Sequence, residues 1–447
     1  MTYTHYLFFR KMMILIWLVN ALFVKNLVQG IPAIPADSFV ESIGINAHWS
    51  DPNIYTRNYT SLREKLGESG IRYIRDGAHD GNYTVANDLH RSFGIKTNIV
   101  TGRRPSSPFP APIDPSKVAV ELSEIKRNGL SVVASLESPN EYDLEHGSDP
   151  DWIQTIQNFS ALLYIQAKAD DQLKHVPIIG PSLTTEQAYE SVGDRDQYID
   201  YANLHLYQGR RWPGYNESSN QGYGSITWFF NHLARHQTPS GKPIQATEAG
   251  YHNGFSNGSL SEEAEGKYII RMYAEFFRRG IVRTYKYELV DEDNKHGQEA
   301  AFGILRSNMS EKPAFRAIKS LISILSDKGP IFTPNSLDFT LTGNINNTRD
   351  ILFQKRDNDF YLMVWLEVPS WNLTTNIDLY PPPQEVMVNL QNNSSISSAT
   401  LYTFNNTADM NTYILPIHNN QIVLNATDKI SILKLTNKKK PSIISKC

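Results

Sequence analysis

Cysteine is nearly absent from this chain of 447 residues. There is one, Cys447, and it is the last residue. No intrachain disulfide can form, so the fold must rest on its core. A surplus of positive charge is also lacking. The formal net charge is −3, which offers no basic face to a nucleic acid. There is no phosphate-binding glycine loop, no G-x-G-x-x-G, no H-E-x-x-H and no C-x-x-C. Nucleotide, zinc-protease and dithiol chemistries therefore lack their signatures, and no cofactor or metal is expected. What is present is ordinary globular composition, 40% hydrophobic and 20% charged, with length for a large core or two domains.

One apolar run stands out. Arg10 and Lys11 precede "MMILIWLVNALFV", and small residues follow towards Gly30. This reads as a secretory signal peptide over 1–30, too short for a comfortable membrane span. An uncleaved signal anchor is the alternative. Acceptors for N-linked glycans (N-x-S/T) begin at Asn58, Asn82, Asn158, Asn216, Asn257, Asn308, Asn346, Asn372, Asn392, Asn393, Asn405 and Asn425. Their spread along the chain fits a secreted, extracellular glycoprotein with glycans on surface loops and no membrane span after signal removal.

Between residues 38 and 328, short apolar strands alternate with amphipathic stretches. The predicted strands are Ser42–His48, Ile71–Arg75, Lys96–Val100, Leu130–Glu137, Val176–Gly180, Tyr201–Tyr207, Pro243–Gly250 and Val282–Leu289. Helix signals follow them. "TSLREKLGESG" ends on a glycine. "PSKVAVELSEIKRNG" opens with proline in its first turn. "SEEAEGKYIIRMYAEFFRRG" carries a serine cap, acids in its first turn and arginines in its last. Eight such repeats match a (β/α)₈ TIM barrel, which takes about 250 residues. Between 329 and 437 the pattern becomes short strands separated by Asn, Pro and Ser, which predicts a small antiparallel β-sandwich. Residues 438–447 read as a disordered tail.

In such barrels the chemistry lies at the C-terminal strand ends. The polar residues there are His48 and Trp49 on strand one, Arg75 and Asp76 on strand two, Asn140 and Glu141 after strand four, His205 and Tyr207 on strand six, Glu248 on strand seven, and Tyr287, Glu288, Asp291 and Glu292 at strand eight. A retaining glycosidase needs two carboxyl groups about 5–5.5 Å apart across the scissile bond. Strands four and seven face each other across a barrel mouth, so Glu141 and Glu248 are the candidate pair. Glu137, inside strand four, reads as part of the barrel's polar layer. The run Asp291–Glu292–Asp293 reads as solvated. Lys286 suggests an aldolase-like Schiff base only weakly, since no phosphate-binding glycine loop accompanies it.

The stretch "LESPNEYD" resembles the strand-four signature of clan A glycoside hydrolases, and "ATEAGY" resembles their strand-seven motif. "IRYIRDG", "NLHLYQG" and "YKYELVDE" are similar to the clan's second, sixth and eighth strands. The resemblance implies a secreted retaining glycoside hydrolase acting on a β-linked oligo- or polysaccharide or glycoconjugate. Glu141 would be its acid/base and Glu248 its nucleophile. Asn140 would bond the sugar 2-hydroxyl. Arg75 would keep Glu248 ionised, Tyr207 would donate to Glu248, and His205 would line the same wall. His48, Trp49 and Tyr287 would form the sugar platform. Many clan members close the site with a strand-eight tryptophan; here Tyr285, Tyr287 and Glu288 stand instead, which leaves the sugar open. Arginine pairs in "TGRRPSS" and "YQGRRWPG" raise the possibility of an anionic sugar. The competing readings are a non-catalytic carbohydrate-binding or structural protein on the same barrel, and a scaffold that uses an apolar patch on the sandwich.

Overall fold

The computed structural model describes residues 30–49, 53–77, 80–102, 112–217, 222–254, 258–293, 295–391 and 395–438. Nearly all of the expected signal segment and C-terminal tail lie outside the described residues. So do Arg103, Arg104, Asn257, Asn392, Asn393 and the side chain of Asn82.

Eight parallel strands form the first layer: β1 (Ile43–Asn46), β2 (Tyr73–Gly77), β3 (Lys96–Val100), β4 (Val133–Glu137), β5 (Ile178–Ile179), β6 (Ala202–Leu206), β7 (Ile244–Ala249) and β8 (Ile281–Lys286). They are bonded in the order β5-β4-β3-β2-β1-β8-β7-β6. A parallel bridge between Ile179 and Tyr201 closes β5 onto β6 and completes the barrel. A helix follows every strand. Burial on both faces explains why these strands carry apolar runs rather than alternation.

The helix signals work as their chemistry requires. Ser261 caps the helix Glu262–Arg278, its hydroxyl accepting from the Ala264 amide at 2.9 Å. Gly70 ends the helix Tyr59–Ser69 in the left-handed region at φ 76°, where a Cβ would be strained. Pro313 opens the helix Pro313–Leu325 at a position whose amide has no helical partner anyway.

The second unit is a sandwich. Strands β9 (Phe339–Gly343), β12 (Gln384–Leu390) and β15 (Gln421–Ala426) form one sheet. The other holds β10 (Thr348–Gln354), β11 (Phe360–Leu366), β13 (Ile396–Phe404), β14 (Met410–Leu415) and β16 (Ser431–Asn437). Residues from the start of the described chain join in: Ile34–Pro35 pairs parallel with β10, and Ile31–Pro32 pairs with Ser336–Leu337. Every residue of β11 is buried. Leu362, Val364 and Leu366 fill the sandwich core, while Met363 and Trp365 pack into the barrel's core cluster. The sandwich is thus pressed onto the barrel by a sheet with two apolar faces.

A buried ion pair crosses that contact. Arg271 on the helix Glu262–Arg278 forks onto Glu367, and both side chains have 0% exposure. Trp365 Nε1 and the Gly214 amide also donate to Glu367, at 2.6 and 3.1 Å. Gly214 belongs to the loop after β6, so the sandwich braces the loops above the barrel mouth. Among the described residues, no helix is long and apolar enough to cross a membrane.

Candidate active site

The barrel's interior carries a polar layer set by strand register. Asn46, Arg75 and Asn98 stand abreast on β1, β2 and β3. Glu137 on β4 is fully buried and accepts from Arg75 Nε and Nη2 at 2.9 and 2.8 Å, from Asn98 Nδ2 at 2.5 Å, from Asn203 Nδ2 at 3.1 Å and from Thr247 Oγ1 at 3.0 Å. It belongs to the barrel's polar layer, as its place in the strand body suggested.

Arg75 connects this layer to the mouth. Its Nη1 donates to Asn46 Oδ1 at 2.9 Å and to Glu248 Oε1 at 2.7 Å; its Nη2 also donates to Asn140 Oδ1 at 2.6 Å. All five guanidinium N–H groups are therefore used. Burial works against the charge, but Glu137 and Glu248 outweigh it and hold Arg75 protonated.

Glu248 stands one residue before the end of β7, buried at 8% exposure. Tyr207 OH donates to its Oε2 at 2.7 Å. Burial pushes its carboxyl upward, yet His205 and Arg75 beside it, with the Tyr207 hydrogen bond, hold it below the usual range. The carboxylate stays ionised. The chain after β7 runs very close to the end of β8: a Cβ at Gly250 would sit 2.7 Å from the Tyr287 carbonyl oxygen. Only glycine allows Glu248 and Tyr287 to share one wall.

Glu141 follows Pro139 and Asn140 after β4. Its backbone lies in the left-handed region, φ 37° and ψ 46°, which costs a non-glycine residue about 1–2 kcal/mol. Its amide donates to Ser182 Oγ at 3.2 Å. Such strain clusters at functional sites, and the Glu141 side chain lines the mouth. His205 Nδ1 lies 2.6 Å from Glu141 Oε1 and 3.5 Å from Glu248 Oε2. Burial opposes a charged imidazole, but Glu248 and the bond to Glu141 push its pKa above the ordinary value. One oxygen of Glu141, one of Glu248 and a nitrogen of His205 fall within 4.8 Å of one another.

These groups open into a cavity of about 710 Å³. Among the described residues its wall includes Arg75, Asn140, Glu141, Tyr207, Glu248, His48 and Tyr287, so the structure brings these expected residues together. His205 stands immediately behind Glu141 and Glu248. Trp49 is placed elsewhere. It is 3% exposed and packs edge-on against Tyr55 and Tyr59, 5.2 and 5.7 Å away, because the helices after β1 fold back over it. It does not line the cavity. The run after β8 also differs from its solvated reading: Glu292 is buried at 1% exposure. Lys286 is off the cavity wall and pairs with Glu265 at 3.1 Å, both at 0% exposure. Of the arginine pairs, Arg210 and Arg211 lie off the cavity wall.

The sequence reading passed over Asn46, Glu145, His252 and Phe302, which also line the cavity. Asn46 carried a signal, as an amide inside an otherwise apolar strand. Glu145 ends the short helix Tyr142–Glu145, and His252 and Phe302 sit on loops, with no comparable signal. Burial, then the charges of Lys286 and Lys312, push His252 below its ordinary pKa, so it stands there as a neutral imidazole.

No protein-family model matches the chain, and no curated protein matches its sequence. Solved structures share its fold. A family 39 glycoside hydrolase from the gut symbiont Bacteroides cellulosilyticus WH2 aligns at a TM-score of 0.60 and 16% identity, over 91% of this chain and 83% of that one. A family 39 enzyme from Xanthomonas axonopodis pv. citri aligns at 0.58 and 15% identity, over 92% and 96%. A monomeric β-xylosidase from Caulobacter crescentus CB15 aligns at 0.57 and 12% identity, over 92% and 99%. The barrel-plus-sandwich architecture implied by the clan A resemblance is the architecture observed.

Proposed function

We propose that the protein is a retaining β-glycosidase in which Glu248 is the nucleophile and Glu141 the acid/base. One observation carries this reading: carboxylate oxygens of the two glutamates lie within 4.8 Å of each other at the mouth of the barrel. Oxygens that close suit the retaining separation of about 5–5.5 Å between carboxyl groups better than the inverting one of about 6.5–9.5 Å.

The chemistry follows from the contacts. Glu248, held ionised, attacks the anomeric carbon. Glu141 Oε1 accepts from His205, so Oε2 is the oxygen left to hold the transferred proton. That proton passes to the glycosidic oxygen as its bond to the anomeric carbon breaks, leaving a glycosyl ester on Glu248. Glu141, now a carboxylate, takes a proton from water. The water oxygen attacks the anomeric carbon and frees Glu248. Asn140, fixed by Arg75, is placed to meet a sugar hydroxyl beside the reacting carbon.

The substrate we favour is a neutral sugar. Asp76, Glu141, Glu145, Glu248 and Glu299 line the cavity against a single guanidinium, Arg75, whose donors are all taken. A sugar carboxylate finds no unoccupied cation there among the described residues. Secretion and N-glycosylation complete the proposal. Asn158, Asn308, Asn346, Asn405 and Asn425 are exposed, and Asn58, Asn216 and Asn372 half-buried, so each described acceptor side chain reaches the surface.

A panel of aryl β-glycosides, neutral and uronic, tests the function. Turnover of a neutral member by wild type, abolished in a folded Glu248→Gln variant, is the expected result. Near-wild-type turnover by Glu248→Gln would remove Glu248 as nucleophile. Oligosaccharide binding without turnover of any glycoside would favour a carbohydrate-binding protein.

A further inference from the structure

Beside the cavity wall is a second carboxyl pair, which the mechanism does not use. Glu288 and Glu292 are off the cavity wall, whereas His48 is on it. Both glutamate side chains have 0% exposure. They lie within hydrogen-bond reach of each other. One oxygen of each falls, with His48 Nε2, within 4.8 Å. Two buried carboxylates in that position repel as anions, so a positive group belongs between them: a metal ion or a proton.

One imidazole and two carboxylates would suit a divalent transition metal. Lys295 decides against it. Its ammonium is 2.8 Å from Glu292 Oε1 and already supplies the balancing charge. It would repel a dication held by the same oxygen. The neighbouring donors are committed as well. Asn53 Nδ2 donates to Glu292 Oε2 at 3.0 Å, and Tyr55 OH donates to Glu288 Oε2 at 2.9 Å. With one proton on the pair, Glu292 and Lys295 cancel and the buried cluster is neutral.

We propose that Glu288 is a neutral carboxylic acid that donates its proton to Glu292 and, through Oε2, positions the Nε2 edge of His48 against the cavity. His48 Nε2 comes within 3.5 Å of that oxygen, while 27% of the His48 side chain stays exposed. A neutral acid behind the ring keeps the imidazole neutral, suited to a sugar hydroxyl; an ionised one would draw a second proton onto it. This last step rests on reading the cavity as a glycoside site. The groups facing Glu288 are Glu292, Lys295, Tyr55, His48 and, through Lys295 at 3.2 Å, the Tyr287 hydroxyl. Burial and then the charge of Glu292 raise Glu288 well above the carboxylate range, against Lys295 and the Tyr55 hydrogen bond. Tyr55 is itself pushed up, so it remains a donor.

Infrared difference spectroscopy of the full chain at pH 7, wild type minus Glu288→Gln, reads the proton without any turnover. A band from the C=O stretch of a neutral carboxylic acid is expected; carboxylate bands alone would overturn the assignment. Thermal unfolding gives an independent readout. A raised folded pKa means that wild type loses stability as pH climbs above about 4.5, the ordinary glutamate value. Glu288→Gln lacks that loss, so its Tm relative to wild type should rise between pH 5 and 8. A difference constant with pH would count against the proton. So would one equivalent of divalent metal retained by purified wild type, or a Tm that falls on dialysis against EDTA.

The positioning role is read on any accepted aryl glycoside. Glu288→Leu should raise KM several-fold with a smaller change in kcat, and Glu288→Gln should recover most of that loss. In a His48→Ala background Glu288→Leu should add nothing; additive losses would overturn the role. If no glycoside is turned over, the glycosidase reading fails, while the infrared and thermal results still decide the proton.

Discussion

Tyr207→Phe isolates one hydrogen bond at the nucleophile. It removes the hydroxyl that donates to Glu248 Oε2 at 2.7 Å and leaves the ring, which packs edge-on against Phe302 at 6.0 Å. No cavity larger than one oxygen forms, so the fold should hold. A hydrogen bond to a charged group contributes about 1.5–3 kcal/mol. Here that energy separates ionised from neutral Glu248, because the bond is one of the interactions that hold the carboxyl low. Losing it moves the acid limb of kcat/KM to higher pH. Below that limb the whole difference is read as a smaller ionised fraction. At about 1.36 kcal/mol per tenfold, kcat/KM there should fall about 10- to 150-fold. The loss should shrink as pH rises and Glu248 ionises in both proteins. The assay is kcat/KM against pH, which reports groups of the free enzyme. The substrate should be an aryl glycoside whose acidic phenol leaves without a proton. An acid limb that stays in place, or a loss equal at every pH, would refute the assignment of Tyr207 to Glu248.

Two further outcomes follow from buried charge and from the surface. Glu275, at 0% side-chain exposure between the barrel and the sandwich, is pushed up to about 7 by burial and then by Glu367, against Arg278 and Arg349. Its folded pKa is above its unfolded value, so the stability it gives is full below about 4.5 and fades as pH rises through about 7. Glu275→Gln should flatten the Tm profile between pH 5 and 7, and an unaltered slope would contradict this. Protein secreted from a eukaryotic host should migrate above its polypeptide mass and drop after enzymatic deglycosylation; no drop would remove the surface-glycan reading.

The barrel was legible where strand chemistry is local. Lys96–Val100 runs as read, and Gln384–Leu390 in the sandwich does too, because β-branched apolar runs bounded by turn residues have few alternatives. Val176–Gly180 shrinks to Ile178–Ile179, since Pro177 cannot donate to a ladder. Phe339–Gly343 was passed over: it is short, with Phe339 alone fully buried, and pairing with β12 completes it. Likewise nothing local shows that Ile34–Pro35 pairs with β10, more than three hundred residues away. The place of Glu248 at the mouth was legible because a strand fixes where its side chain points; Glu141 lies beyond the end of β4, where a left-handed backbone sets its direction. The place of Trp49 was not legible, because adjacency to His48 does not say which face the chain turns after β1, and Tyr55 and Tyr59 settle that. Glu292 looked like part of a solvated acidic run, Asp291–Glu292–Asp293, and Glu288 like one more polar residue at the end of strand eight. Their burial depends on Lys295, Asn53 and Tyr55, which gather only in the folded molecule.

The central claim is that two glutamates perform a double displacement, and Glu141→Ala with azide tests it most directly. Without its acid/base the variant should fail on glycosides with poor leaving groups. An aryl glycoside with a very acidic phenol needs no proton for the first step, so it should still form the Glu248 ester in a burst of released phenol. Azide fits the space left by the carboxylate and needs no general base, so turnover should return with rising azide. Anomeric NMR of the product should show a β-glycosyl azide, the starting configuration kept through two inversions. An α-glycosyl azide, or no rescue from a variant that folds and binds, would contradict the account.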